Sequence, residues 1–254
     1  MFKNLGGIVG LAMVCIAAHA QMPVAQLPLT NINTSYSAPT GGTTWAAHTS
    51  AQLASALKVA APGDTIMLDA GTIYSSYFVV PAKSNPNKKW IYVMSSAYAK
   101  LPAPGTRVSP ANAVNMPKIV SPGATNAVRF QDGANHWRFV GIEIASASTY
   151  HPNGNTPGVY FGYALVDKYC YPNYGNCTTT PQTIPDSIFF DRCYVHGDAT
   201  HDLQEGLTAN FSNFALVDSY VSDIHGKGLD TQAVAAYETP GPIKLVNNHL
   251  LSIT

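Results

Sequence analysis

The sequence predicts an all-β chain wound as a solenoid of parallel strands, three short strands to a rung, with one helix at its N-terminal end. Three observations predict it. Four segments of the second half repeat one apolar pattern. Within each segment the pattern steps by three where a flat strand would step by two. The composition also suits short strands and turns, with 20 Gly, 18 Pro and 14 Tyr but only 11% charged residues.

The four segments are Trp137–Ile144, Ile188–Val195, Phe214–Val221 and Ile243–Leu250, and they align without gaps. Their first column holds Trp137, Ile188, Phe214 and Ile243. The third holds Phe139, Phe190, Leu216 and Leu245, and the last holds Ile144, Val195, Val221 and Leu250. The first and third positions alternate as one face of a strand must. The next apolar column comes three residues later, so the chain turns a corner and a second strand starts on a new face. Ile142, Cys193, Ser219 and Asn248 occupy that corner, where small or amide side chains can stack and satisfy backbone groups. A third apolar patch follows in each unit: Val159–Phe161, Leu207–Ala209 and Ala233–Ala235. The segments start 51, 26 and 29 residues apart, and the long interval reads as an insertion. A single rung cannot bury its apolar side, so neighbours stack. An antiparallel β-sandwich also has many short strands, but it explains neither the repeated corner nor the spacing.

Ahead of the repeats, Ser50 is positioned as the N-cap of a helix whose face is Leu53, Ala56, Leu57 and Ala60, ended by Pro62 and Gly63. This helix is expected to cover the open N-terminal edge of the core. Strands are expected at Thr65–Leu68, Phe78–Val80, Trp90–Met94, Lys118–Val120 and Val128–Phe130.

Residues 1–20 read as a secretory signal peptide: Lys3 in the n-region, Leu5–Ala17 as the h-region, and Ala18-His19-Ala20 as the cleavage site. The expected location is therefore secreted or periplasmic. Residues 21–48, rich in Pro, Thr, Ser and Gly, read as a leader or linker, and 49–254 as the solenoid domain. The chain stops partway round a rung after Leu250, which reads as a solenoid truncated at its C-terminus. In an oxidising compartment Cys170 and Cys177 could form a disulfide across a turn-rich loop, leaving Cys193 free and pointing inward. Fourteen Lys and Arg balance fourteen Asp and Glu, which argues against nucleic acid as a partner. Past the signal segment no stretch could span a membrane, and a monomer is expected.

The stretch Ala56–Leu68 resembles the N-terminal helix and first strand of secreted bacterial right-handed parallel β-helix proteins of the pectin-lyase-like superfamily. Arg107–Pro110, Met116–Val120, Gly228–Gln232 and Gly241–Asn248 resemble the same group, so that the resemblance covers residues 50–254. It implies a right-handed parallel β-helix. For activity it leaves lyases, hydrolases, epimerases and non-catalytic proteins open, since one fold hosts them all. The Asn-Thr-Asp and Gly-His-Gly motifs of polygalacturonases and the Arg-x-Pro-x-x-Arg motif of pectate lyases are missing from this sequence.

The loops Ala145–Gly158, His196–Gly206 and Ser222–Gln232 fall on one flank of stacked rungs. They carry His151, His196, His201 and His225, with Asp198, Asp202, Glu205, Asp223, Asp230 and Lys227. Titratable groups gathered from successive rungs make a groove site. Uronate elimination needs a base near the C5 proton and a cation beside the carboxylate. His225 or His196 would be the base, and Lys227 or a bound Ca²⁺ the neutraliser. Glycoside hydrolysis needs two carboxylates, for which Asp198, Glu205, Asp223 and Asp230 are candidates. The plainer alternatives are turn residues bonded to backbone, and a structural Ca²⁺ held by Asp223, Asp230 and Glu205. Tyr160, Tyr194, Tyr220 and Tyr237 could offer sugar-stacking faces, and His249 reads as a surface residue. The expected function is an exported protein that binds an extended polysaccharide, a uronate-containing one being one candidate, and cleaves it by elimination or hydrolysis. The alternative is a glycan-binding or surface-adhesion protein without activity.

Overall fold

A computed structural model describes residues 30–121, 126–146, 164–168, 184–199, 201–226, 230–237 and 239–253. The signal segment, His151, Tyr160, the Val159–Phe161 patch, Cys170, Cys177 and Lys227 lie outside the described residues.

The chain climbs in parallel layers. β1 (Thr44–Ala47) and α1 (Ser50–Val59) form the N-terminal end. The first full rung is β2 (Thr65–Leu68), β3 (Ile73–Ser75) and β4 (Phe78–Val80). The second is β5 (Ile91–Ser95), β6 (Lys118–Ser121) and β7 (Val128–Phe130). Then come β8 (Asn135–Val140), β9 (Glu143–Ser146) and β10 (Ala164–Lys168), followed by β11 (Asp186–Asp191), β12 (Tyr194–His196) and β13 (Glu205–Thr208). The fifth rung is β14 (Ser212–Val217), β15 (Tyr220–His225) and β16 (Gln232–Ala235). β17 (Gly241–Val246) and β18 (His249–Ile253) begin a sixth. Every third strand joins the same sheet. Sheet A runs β1-β2-β5-β8-β11-β14-β17, sheet B β3-β6-β9-β12-β15-β18 and sheet C β4-β7-β10-β13-β16. All pairings are parallel, so the fold is a parallel β-helix.

The sequence columns are the stacking register. Trp137 pairs with Ile188, Ile188 with Phe214, and Phe214 with Ile243. Phe139, Phe190, Leu216 and Leu245 form the next column, and Ile144, Val195, Val221 and Leu250 the one beyond the corner. Phe139 and Phe190 lie stacked at 5.0 Å, with Phe130 edge-on to both. One apolar core runs the length of the coil. In the sixth rung Ile243, Leu245 and Leu250 are exposed, because no further described rung rests on them.

The step of three has a backbone cause. Gly141, Arg192, Asp218 and Asn247 stand between sheets A and B in successive rungs, each with φ between 50° and 65°. One left-handed residue at this corner bends the strand sharply, and Gly, Asp and Asn tolerate it best. Arg192 is the costly member, and it is tied down by Asp191 Oδ1 at 2.7 Å and the Pro102 carbonyl at 3.2 Å. The next corner residues ladder the rungs together. Asn248 Oδ1 accepts from Ser219 N at 2.8 Å, and Ser219 Oγ accepts from Cys193 N at 3.0 Å. Cys193 is fully buried and free, and burial pushes its thiol up to about 12.

Three details differ from the sequence reading. Thr49, not Ser50, caps α1, its side chain accepting from Gln52 N at 3.2 Å. The third strand of the third rung is Ala164–Lys168, later than the Val159–Phe161 patch, because it aligns with Val128–Phe130 and Glu205–Leu207. And β1 lies inside the stretch read as a leader, which also holds a strap across the outer face of sheet A. There Lys244 Nζ donates to the Ile32 carbonyl (2.7 Å) and Arg138 to the Thr34 and Ser35 carbonyls (3.1 and 2.9 Å). Tyr92 OH donates to Ser37 O (2.9 Å), so the strap crosses from the sixth rung to the second. Ile32 packs on Phe189, Ala215 and Val217, outward residues that would otherwise be wet.

Truncating an interior aromatic leaves a cavity that stacked rungs cannot close. Phe190→Ala is expected to cost about 3–5 kcal/mol in chemical denaturation, whereas Leu245→Ala, in the same column but exposed, costs under about 1.5 kcal/mol.

Candidate functional site

The outward side of sheet B carries the polar cluster. Residues 96–117, inserted between β5 and β6, fold over one part of it: Leu101, Val108 and Met116 pack on Tyr194. Their backbone is anchored to later rungs, with Gly105 N donating to Asp218 Oδ2 at 2.6 Å and Val108 N to the Asp218 carbonyl at 2.9 Å. Tyr194 in turn lies against the ring of His196, centroids 4.2 Å apart and nearly parallel. The exposed flank therefore begins at His196 and continues into the turn after β12.

Three successive rungs build its first part. Lys118 (β6), Glu143 (β9) and Tyr194 (β12) share one outward column, and His196 follows two residues on. Lys118 Nζ lies 2.6 Å and His196 Nε2 2.9 Å from the same oxygen, Glu143 Oε1. Burial alone would raise the Glu143 carboxyl. The hydrogen bonds from His196 and Lys118 outweigh it and hold the group below the usual glutamate range. His196 Nδ1 lies 2.6 Å from the Gly197 carbonyl. Both ring nitrogens thus have a close polar partner, and neither is left open toward a substrate.

The second part is the turn 197–204 laid against the end of β15. Gly197 N donates to Ser222 O at 3.2 Å. A Cβ at Gly197 would stand 2.1 Å from the Asp223 carbonyl oxygen, so only glycine lets the turn seat there. Asp198 Oδ1 accepts from His201 N at 2.9 Å, and its carboxylate grips His201 Nδ1 at 2.7–2.8 Å. His225 Nε2 lies 2.7 Å from the Asp198 carbonyl, which can only accept, so Nε2 carries a proton. His225 Nδ1 stands 4.0 Å from Asp202 Oδ1 with the side chain 26% exposed. Nδ1 has no hydrogen-bond partner among the described residues, and the Asp202 carboxylate is its neighbour.

The structure thus brings together His196, Asp198, Asp223 and His225 of the sequence candidates. Asp223 adopts φ 55° and accepts from Ser222 Oγ at 2.8 Å. Glu205 is set apart on sheet C, where it is buried with Thr208 Oγ1 at 2.6 Å and Tyr237 OH at 2.5 Å on its two oxygens. Asp230 is exposed ahead of β16. Glu205, Asp223 and Asp230 do not gather as a Ca²⁺ site: among the described residues no three His, Cys, Asp or Glu side chains are grouped to hold a metal ion. Tyr194 is buried, and Tyr220 is stacked on His249 at 4.1 Å, so His249 is not a free surface residue; Tyr237 alone of the described tyrosine candidates is largely exposed. Sequence reasoning missed Lys118 and Glu143. Each immediately precedes an inward residue, Ile119 and Ile144, and extending the repeat alignment back one rung would have put them side by side.

With fold and site laid out, the class is that of parallel β-helix proteins. No protein-family model matches the chain, and no curated protein matches it. Among solved structures it is similar to an alginate lyase from Paenibacillus sp. str. FPU-7, with a TM-score of 0.50 and 14% identity over 80% of this chain and 57% of that one. It is also similar to a PL6 family alginate lyase, with a TM-score of 0.36 and 13% identity over 82% of this chain and 28% of that one. The chain spans less than two thirds of the length of either protein. Among the described residues no helix is long and apolar enough to cross a membrane.

A carboxylate held below its ordinary value stabilises the fold above the unfolded value, about 4.3, and that contribution is lost as pH falls through the lower folded value. Melting temperature against pH is expected to fall on acidification in the wild type. Glu143→Gln should flatten that slope and lower stability at neutral pH, where Lys118 and His196 lose their shared partner.

Proposed function

We propose that the chain is an exported polysaccharide-active protein that binds an extended, uronate-containing glycan along the sheet B flank and cleaves it by elimination. The observation that carries this reading is the placement of His225: Nε2 lies 2.7 Å from the Asp198 carbonyl, and Nδ1, 4.0 Å from Asp202 Oδ1, has no hydrogen-bond partner among the described residues. A positioned imidazole of that kind is what abstraction of a proton α to a carboxylate requires. In this reading His225 Nδ1 takes the C5 proton of the uronate. The electron pair of the broken C5–H bond forms the C4=C5 double bond, and the C4–O bond to the neighbouring sugar breaks. The imidazolium, stabilised by Asp202, returns the proton to the leaving oxygen. Charge building on the uronate carboxylate needs a cation. Lys118, 35% exposed beside His196, supplies one on the described side, and Lys227, two residues past His225, is the other candidate.

The alginate lyase named for the similar structure, an enzyme of a uronate polymer, supports the same reaction class. Hydrolysis is less well supported, because it needs two available carboxylates. Both oxygens of Glu205 are occupied, and Asp198 is engaged by His201.

The test is a panel of alginate, polygalacturonate and neutral glycans, assayed with and without Ca²⁺. Ultraviolet absorbance of an unsaturated product should appear on a polyuronate, and His225→Ala should lower that rate about 10²–10⁴-fold at an unchanged melting temperature. Reducing ends released without the absorbance, or full activity in His225→Ala, would overturn the assignment. Saturable glycan affinity with no turnover would instead support the binding-protein alternative.

A further inference from the structure

A second feature lies away from sheet B. Where the N-terminal strap meets the loops before β2 and β5, it leaves an open cleft of about 370 Å³, within the range of small-ligand sites. Ser37, Thr40, Gly63, Lys89, Trp90 and Tyr92 line it. The strap is fixed close to the β2 loop, since a Cβ at Gly42 would stand 2.2 Å from the Gly63 carbonyl oxygen. Trp90 is held in place, its ring centroid 4.5 Å from that of Phe189 and 5.3 Å from that of His136. The loop carrying Lys89 is likewise set, with Asn85 bonding both its N–H and its carbonyl at 2.9 Å. The Lys89 stem passes over Gly63, and the residue is exposed.

These parts match the needs of one sugar unit. A rigid half-buried indole offers a face for the C–H side of a pyranose. Ser37, Thr40 and glycine backbone offer small hydrogen-bonding partners for hydroxyls. Lysine at the rim suits a carboxylate. We propose that this cleft is an accessory glycan site for an acidic pyranose, with Trp90 as platform and Lys89 as carboxylate partner. The proposal rests on the polysaccharide reading above for its ligand class, but on none of the sheet B residues. Such a site would hold a polymer on the protein while the flank engages another stretch of it, raising effective concentration.

The test follows the indole N–H signal of Trp90 in the intact chain by nuclear magnetic resonance. Trp90→Phe assigns the signal among the three tryptophans. Trigalacturonate and trimannuronate are the acidic probes and maltotriose the neutral one. The Trp90 signal should shift saturably with an acidic probe, and Lys89→Gln, a change at an exposed position, should raise the Kd about tenfold. A signal that does not move, equal affinity for maltotriose, or an unchanged Kd in Lys89→Gln would overturn the site. The two proposals separate cleanly. A Trp90 shift in a protein that cleaves no glycan supports this site and removes only the elimination reading. Turnover with a silent Trp90 does the reverse.

Discussion

A rung of this chain has one apolar side and nothing within itself to bury it against, so the structure depends on rungs resting on one another in register. The interior columns meet that need by repeating apolar residues at the same three points of each rung, so that Phe139 lies on Phe190 and Ile188 between Trp137 and Phe214. Burial of this kind scales with the area removed from water, and every interior residue gains it twice, from the rung below and the rung above. Parallel pairing follows, because a coil that always climbs lays each strand beside its equivalent in the same direction.

The same register makes the outer surface useful. Residues at one position of consecutive rungs stand a strand spacing apart, about 4.8 Å, whatever their separation in sequence. Lys118 and Glu143 meet in this way, and His196, two residues along the next rung, reaches the same carboxylate. The corner between sheets A and B is sharp from the third rung to the sixth, carries the 96–117 insertion in the second, and the turn after sheet B varies in length. That turn is where the polar residues concentrate, on a rigid frame that fixes their direction.

Much of this was legible in the residues. The repeat showed the inward columns, the corner and the stacking partner of each interior residue, because burial imposes a period that apolar side chains cannot hide. The flank was legible as a region, since His196, Asp198, Asp223 and His225 do lie there. Their individual roles were not. Nothing in the spelling of residue 196 or 225 says that one imidazole is hydrogen-bonded through both nitrogens and the other through one; that depends on which carbonyl a neighbouring turn presents. Glu205 looked like its flank neighbours, but its strand turns it toward Thr208 and Tyr237. The strap over sheet A carried no periodic signal, because its contacts run through backbone carbonyls that any sequence supplies.

Rung-on-rung stacking is most directly measured by a double-mutant cycle across one interface of the core. Phe139→Leu, Phe190→Leu and the double variant, compared by chemical denaturation, isolate the energy that the two rings share. Stacked rungs predict a coupling of about 0.5–1.5 kcal/mol. Strictly additive losses would mean that the two side chains do not touch, and would contradict the register on which the fold and its flank both rest.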